Sequence, residues 1–313
     1  MRFTEKLSPR ARYGLGAVLV LLGAVGFSAK AVLIRLAYQS HPPGSPPVDS
    51  LTLLTLRMVF SIPVYLFIAY RLRQQSGYVP LTRRQLLEVA GLGLTGFYVA
   101  SLLDFLGLQY VTASVERLIL FVYPTLVLAV SAVFFGRKIH RVQVIALVLT
   151  YAGIALAFLD DIDPRLQTNL PLGAALIFAS AVVYALYLVG TGEVLPRVGS
   201  GRFTCYAMLA AAGGTFLHFL LTRPVSLLTH LSPDVYAVGG WLAVVSTVLP
   251  TFLTAEGIRL IGPGNMAIVS SAGPLITIGL AYEVLGETVG LWQGLGTVLV
   301  LAGVLLIGVK GKR

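Results

Sequence analysis

The sequence predicts an all-α integral membrane protein of ten transmembrane helices, built as two inverted five-helix repeats. Three observations carry that prediction. Of 313 residues, 57% are hydrophobic and 12% charged, which leaves too little polar surface to cover a water-soluble fold. The apolar residues fall into ten runs of the length that spans a bilayer as a helix, near 14–38, 51–71, 86–110, 112–135, 140–159, 170–190, 203–222, 235–258, 264–285 and 289–309. The stretch from Leu103 to Leu156 then recurs without a gap 150 residues later, as Leu253 to Leu306. In that frame Gly107, Pro124, Gly136, Gln143 and Gly153 meet Gly257, Pro274, Gly286, Gln293 and Gly303, and Leu22-Gly23-Ala24 meets Leu172-Gly173-Ala174. Apolar residues match by chance in any membrane protein; a Pro, several Gly and a Gln in one frame mark an internal duplication.

The duplication divides the chain into a first repeat, 1–159, a polar outer linker, 160–169, and a second repeat, 170–313. Five spans is an odd number, so the second repeat enters the membrane in the opposite sense to the first. The net charge of +10 is scattered along the chain, as an orientation signal and not as a nucleic-acid surface. With the N-terminus inside, the cytoplasmic segments hold Arg2, Lys6, Arg10 and Arg12, then Arg71, Arg73, Arg83 and Arg84, then Arg137, Lys138 and Arg141. Arg197, Arg202, Arg259, Lys310, Lys312 and Arg313 complete that side, against Arg165 and Arg223 outside. This asymmetry places both termini in the cytoplasm. The basic start and first apolar run resemble a signal peptide in pattern, but the run is too long and contains Lys30 and Arg35, so it is expected to be retained.

Taken in order, span 1 sets Gly23, Gly26, Lys30 and Ile34 at helical spacing, so small residues lead to a cation at mid-depth. The prolines of His41–Asp49 stop that helix, and span 2 carries Arg57. Span 3 holds Asp104 in its outer part and turns through Tyr110-Val111-Thr112 into span 4, which carries Glu116 and Arg117 before Tyr123-Pro124. Pro124 removes a helix hydrogen bond and frees the carbonyl of Leu120, and freed backbone at that depth must face protein or a wet cavity. Spans 6 and 7 are poor in charge, with Tyr184 and Tyr187 as expected wall residues. Near the inner end of span 8, Glu256 and Arg259 stand three apart, the spacing of a helical ion pair. Gly262-Pro263-Gly264 makes the cytoplasmic turn into span 9, where Gly273-Pro274 repeats the Tyr123-Pro124 break. Pro124 and Pro274 are therefore the expected hinges.

Pro124 with Gly136, Pro274 with Leu285-Gly286-Glu287, then Gln293 and Ala302-Gly303 resemble the EamA-like branch of the drug/metabolite transporter superfamily over nearly the whole chain. The resemblance implies a ten-helix carrier that exports or exchanges a small metabolite. Span 1 departs from the family's aromatic-Gly pair, reading Gly26-Phe27-Ser28-Ala29-Lys30, and the Gly-Glu of the second repeat is Gly136-Arg137 in the first. A membrane-embedded enzyme and a passive channel are the alternatives. Catalysis is poorly served by the sequence: His41, His140 and His230 fall in loops, His218 stands alone in span 7, and no Gly-rich phosphate loop occurs. No cofactor and no metal are expected. The expected partners are the small-molecule metabolite and the lipid bilayer, with a homodimer left open, and the expected location is a bacterial inner (plasma) membrane.

Intramembrane charge singles out the candidate substrate-binding or coupling residues: Lys30, Arg57, Asp104, Glu116 and Arg117, with Tyr123, Tyr184 and Tyr187 as walls. Each ionised group costs at least about 2.5–3.5 kcal/mol on insertion scales. Yet the second-repeat counterparts of Lys30, Asp104, Glu116 and Arg117 are Ser180, Thr254, Met266 and Ala267. A five-helix unit that needed these charges as scaffold would need them twice. The competing expectation is static pairing of Lys30 with Asp104 and of Glu116 with Arg57 or Arg117. Even complete pairing leaves cations in excess, a setting for a substrate carboxylate or phosphate.

Overall fold

The computed structural model describes residues 8–39, 48–75, 78–111, 116, 119–120, 122–157, 169–270, 272–273, 276 and 291–310. Every regular element among them is helical: α1 (Pro9–Gln39), α2 (Ser50–Arg73), α3 (Arg83–Gly93), α4 (Ala100–Gly107), α5 (Tyr123–Phe135), α6 (Arg141–Ala157), α7 (Leu170–Val198), α8 (Ser200–Thr222), α9 (Pro233–Ala243), α10 (Leu249–Ser270) and α11 (Leu291–Lys310). A π-helical turn, Leu94–Val99, joins α3 to α4, and a second, Val244–Val248, joins α9 to α10. Among the described residues, six helical segments are long and apolar enough to cross a membrane: Arg10–Lys30, Ser50–Arg73, Arg83–Gly107, Leu170–Val198, Ser200–Thr222 and Pro233–Ser270. Their outward faces carry bare Phe67, Leu87, Trp241 and Leu221. Such faces suit hydrocarbon, which needs only apolar contact once the backbone is bonded within each helix.

Polar residues start the helices where the apolar runs begin. Asp49 accepts from the amides of Leu51 and Thr52 at 3.1 and 3.2 Å to cap α2. Thr82 and Gln85 form a reciprocal capping box at α3, and Asn169 accepts from Leu172 at α7. Each satisfies donors that the first helical turn leaves open.

Two boundaries differ from the sequence expectation. The sixth run does not stop near 190 with a loop to 203; α7 continues to Val198 and α8 begins at Ser200. Gly199 alone makes the turn, at φ 85°, a conformation open to glycine and costly for other residues. Pro196 lies in the last turn of α7, with Gly199 bonded back to Leu195 at 2.8 Å. The other difference concerns Pro124. A regular helix restarts at Tyr123, so Pro124 falls in a first turn, where its missing donor costs nothing, and not inside a continuous helix. Val122 bonds to Ile119 and Leu126 to Val122, while 150 residues on Ala272 bonds to Val269 and Ile276 to Ala272. Pro274 itself lies outside the described residues. The turn expected at Gly262 is present, at φ 78°.

The packing follows the same frame. α1 lies along α10 and α4 along α7, contacts that the 150-residue shift exchanges; α2 packs on α8 and α6 on α11, contacts that it maps onto themselves. At the α6–α11 contact, a Cβ on Gly153 would stand 2.6 Å from the carbonyl oxygen of Gly296 and 2.8 Å from Val300. A Cβ on Gly303 would stand 2.7 Å from the carbonyl of Ala146 and from Thr150, the residues at the matching positions. Absent side chains at both points let the backbones touch, the usual route to tight helix association in lipid. Gly153→Ala and Gly303→Ala should each lower stability by about 1–3 kcal/mol, because backbone atoms must give way. Gly14→Ala, where nothing lies within 4 Å, should leave it unchanged or slightly raised; melting of the purified variants in detergent reads the difference.

Candidate functional site

Where α1, α2, α4, α5, α7 and α10 converge, a cavity of about 110 Å³ opens in the middle of the bundle. Its walls come from both halves, largely in matched pairs: Lys30 and Ser180, Gly96 and Ser246, Phe97 and Thr247, Ser101 and Thr251, Asp104 and Thr254, Leu120 and Ser270, Tyr123 and Gly273. Both π turns contribute. A π turn widens the helix by one residue and frees local geometry, which is why such turns recur at functional sites; here they bring Gly96 and Phe97, and Ser246 and Thr247, to the wall. Thr247 donates to the carbonyl of Leu242 at 2.7 Å, across the turn that precedes it.

Lys30 on α1 forms an ion pair with Asp104 on α4, linking two helices of the first repeat. Asp104 is 2% exposed and Arg57 4%. Arg57 on α2 donates through Nη2 to the Ser101 hydroxyl at 3.2 Å, and its guanidinium lies 5.2 Å from the centre of the Phe105 ring. The two halves are also tied across the cavity. Tyr123 hydrogen-bonds Ser270 and donates to the Ala267 carbonyl at 3.3 Å, Ser28 donates to the Gly273 carbonyl at 2.8 Å, and Tyr65 bonds Thr251 at 2.8 Å. Tyr184 packs edge-on to Tyr123, with centroids 5.4 Å apart.

Of the expected site residues, Lys30, Arg57, Asp104, Tyr123 and Tyr184 line the cavity. Tyr187 does not. It is buried one row behind the wall, stacked on Tyr184 at 5.7 Å and edge-on to Phe97 at 5.0 Å, because Gly96 offers no side chain and its ring settles on that bare backbone. Glu116 is fully buried and also stands outside the wall. Arg117 lies outside the described residues. The expected Lys30–Asp104 pair is formed, as is the pair between Glu256 and Arg259, where Nε stands 2.9 Å from Oε2. Ser200 reaches the same carboxylate. His218 is a helix contact, its Nδ1 2.9 Å from the Tyr98 hydroxyl.

The sequence reading missed the hydroxyls of the second half: Ser246, Thr247, Thr251 and Ser270. The signal was available. Carrying the first-repeat residues forward by 150 lands on a Ser or Thr at six of the seven paired positions: Lys30, Gly96, Phe97, Ser101, Asp104 and Leu120 lead to Ser180, Ser246, Thr247, Thr251, Thr254 and Ser270.

Charges at the helix ends are sorted as well. Arg73 meets Tyr206 at 3.1 Å, Arg202 donates to the Val79 carbonyl at 2.6 Å, Arg197 meets Glu88 at 3.3 Å, and Arg137 pairs with Glu193. All belong to one end of the bundle, while Arg223 meets Asp49 at 3.6 Å at the other.

These features define a polytopic helical membrane protein with a central, part-polar chamber shared by two similar halves. The chain belongs to the EamA-like transporter family, whose model matches it twice, over residues 14–159 and 171–309. It is 33% identical over 298 residues to the uncharacterized transporter YcbK of Bacillus subtilis, covering 93% of this chain and 92% of that one. It is 23% identical over 308 residues to the uncharacterized inner membrane transporter YicL of Salmonella typhimurium, covering 95% and 96%. A crystal structure of another protein superposes with a TM-score of 0.74 over 98% of this chain and 100% of that one, at 16% identity, a likeness of fold alone.

The Lys30–Asp104 geometry sets a stability prediction. Lys30→Ala strands a buried carboxylate and should cost about 3–5 kcal/mol. Adding Asp104→Ala should recover most of that loss, since both members of one pair are then gone. Thermal melts of the two single variants and the double variant test the cycle.

Proposed function

We propose that the protein is a secondary carrier, an exporter or exchanger that moves a small polar, anionic metabolite by alternating access. The single observation that carries the reading is the cavity wall, made of residues that the 150-residue shift exchanges in pairs. A site shared by two equivalent halves has two equivalent exits, which alternating access requires. An enzyme gains nothing from such a wall, and a channel needs no ties between its halves such as Tyr123 to Ser270 and Ser28 to Gly273.

On this reading the ten spans form two inverted five-helix repeats, 1–159 and 170–313, joined by the outer linker 160–169. The helix contacts and the repeated backbone breaks at Val122 and Ala272 support that arrangement. Pro124 and Pro274 follow these breaks and act as equivalent hinges. Both termini are cytoplasmic, in keeping with the arginine-rich end of the bundle, and the location is a bacterial inner membrane, that of the related inner membrane transporter YicL. Substrate or coupling roles fall to Lys30, Arg57, Asp104, Tyr123 and Tyr184 at the wall, with Tyr187 and Glu116 supporting them from behind; the sequence assigns Arg117 to the same set.

Two experiments test this. Reporter fusions at Arg313 and within 160–169 should report opposite sides of the membrane; the same side for both defeats the inverted repeat. In proteoliposomes, the Lys30→Ala, Asp104→Ala double variant should regain stability while solute counterflow stays below about a tenth of wild type, the loss expected when one strong ligand contact is removed. Full counterflow in the double variant would make the pair a scaffold only.

A further inference from the structure

The cavity holds a second cation that the Lys30–Asp104 pair does not neutralise. Among the described residues Arg57 makes one hydrogen bond, to Ser101, and one ring contact, to Phe105. Its Nε, buried beside the cavity, has no acceptor among the described residues, and Arg57 forms no salt bridge with any of them. The Ser246 hydroxyl, 1% exposed and also on the cavity wall, likewise has no hydrogen-bond partner. These two groups sit on elements that pack together, α2 and the π turn Val244–Val248. Buried donors without acceptors are rare in folded proteins, and each calls for a ligand or a water.

We propose that Arg57 and Ser246 form the anion-binding subsite of the cavity, and that its substrate is a small monocarboxylate with an apolar body. This rests on the carrier reading above and adds the charge class. The charged residues of the wall are Lys30, Arg57 and Asp104, a balance of one positive charge. Asp104 is engaged by Lys30, so among the described residues the wall offers no second carboxylate to the ammonium of a zwitterion or a cation. A guanidinium can hold a carboxylate through two parallel bonds, and Arg57 has Nε to give. Phe27, Phe97, Tyr123 and Tyr184 supply the apolar surface beyond it.

The probes are benzoate and acetate, benzamide as the neutral counterpart, phenylalanine as a zwitterion and phenethylamine as a cation, each at millimolar concentration with the purified full chain. A bound ligand raises the melting temperature by mass action. Benzoate or acetate should raise it, and the other three should not. Arg57→Gln should weaken the response roughly tenfold or more, Ser246→Ala should weaken it less, and Arg57→Lys should retain part of it. Without ligand, Arg57→Gln should be at least as stable as wild type, since among the described residues it removes a buried charge that forms no ion pair. The inference falls if neither carboxylate shifts the melt, if phenylalanine or phenethylamine shifts it more, if the benzoate response survives Arg57→Gln, or if Arg57→Gln alone destabilises the protein. Counterflow separates the two readings. Exchange of a zwitterion without exchange of carboxylates leaves the carrier standing and defeats the subsite; carboxylate binding without exchange of any solute keeps the subsite and defeats the carrier.

Discussion

In hydrocarbon there is no water to solvate an ion, so every charge at mid-depth must be enclosed by protein and answered by another group. The rest of this architecture depends on how that demand is met. Lys30 and Asp104 answer each other across α1 and α4, and Arg57 is held by a hydroxyl and an aromatic face. To enclose them, helices from both halves must converge on one point, and the point where they converge is the cavity. The charges thus fix where the bundle must close, and apolar residues are free to cover its outside.

Convergence of that kind needs close backbones. In water the hydrophobic effect would draw the helices together, but lipid removes most of that drive and leaves contact area and hydrogen bonds. Gly153 and Gly303 meet the facing helix at points related by the repeat, with no side chain between the two backbones. The polar ties Ser28 to Gly273 and Tyr123 to Ser270 add direction to that contact. Around the cavity these ties are single hydrogen bonds, each worth roughly 0.5–1.5 kcal/mol net. Bonds of that size hold one arrangement of the halves without making another inaccessible.

Much of this was legible in the sequence because lipid enforces simple rules. Apolar runs marked the six long apolar helical segments found among the described residues, the 150-residue frame gave the pairing of helix contacts, and the clustering of arginines at one end followed from their positions. The Lys30–Asp104 pair was legible because two opposite charges in apolar runs have few other ways to be satisfied. The π turns were not. Leu94–Val99 and Val244–Val248 share a position in the frame but little sequence, and one inserted backbone turn leaves no trace in hydropathy. Tyr187 was misplaced for a related reason: its role depends on the bare backbone of Gly96, three helices away in sequence. The end of α7 was missed because Gly199 makes in one residue a turn for which composition suggested a loop.

The duplication also explains why the charges lie where they do. Two identical halves would place identical groups on both sides of the cavity, and two lysines or two aspartates facing each other there would repel. Divergence after duplication resolves this by keeping ions on one side and hydroxyls on the other, as Lys30 faces the frame of Ser180 and Asp104 that of Thr254. Hydroxyls donate or accept as required, so the second half presents groups that fit either a donor or an acceptor in the cavity. The backbone thus repeats its helix contacts in both halves, while the side chains set ions on one wall of the cavity and hydroxyls on the other.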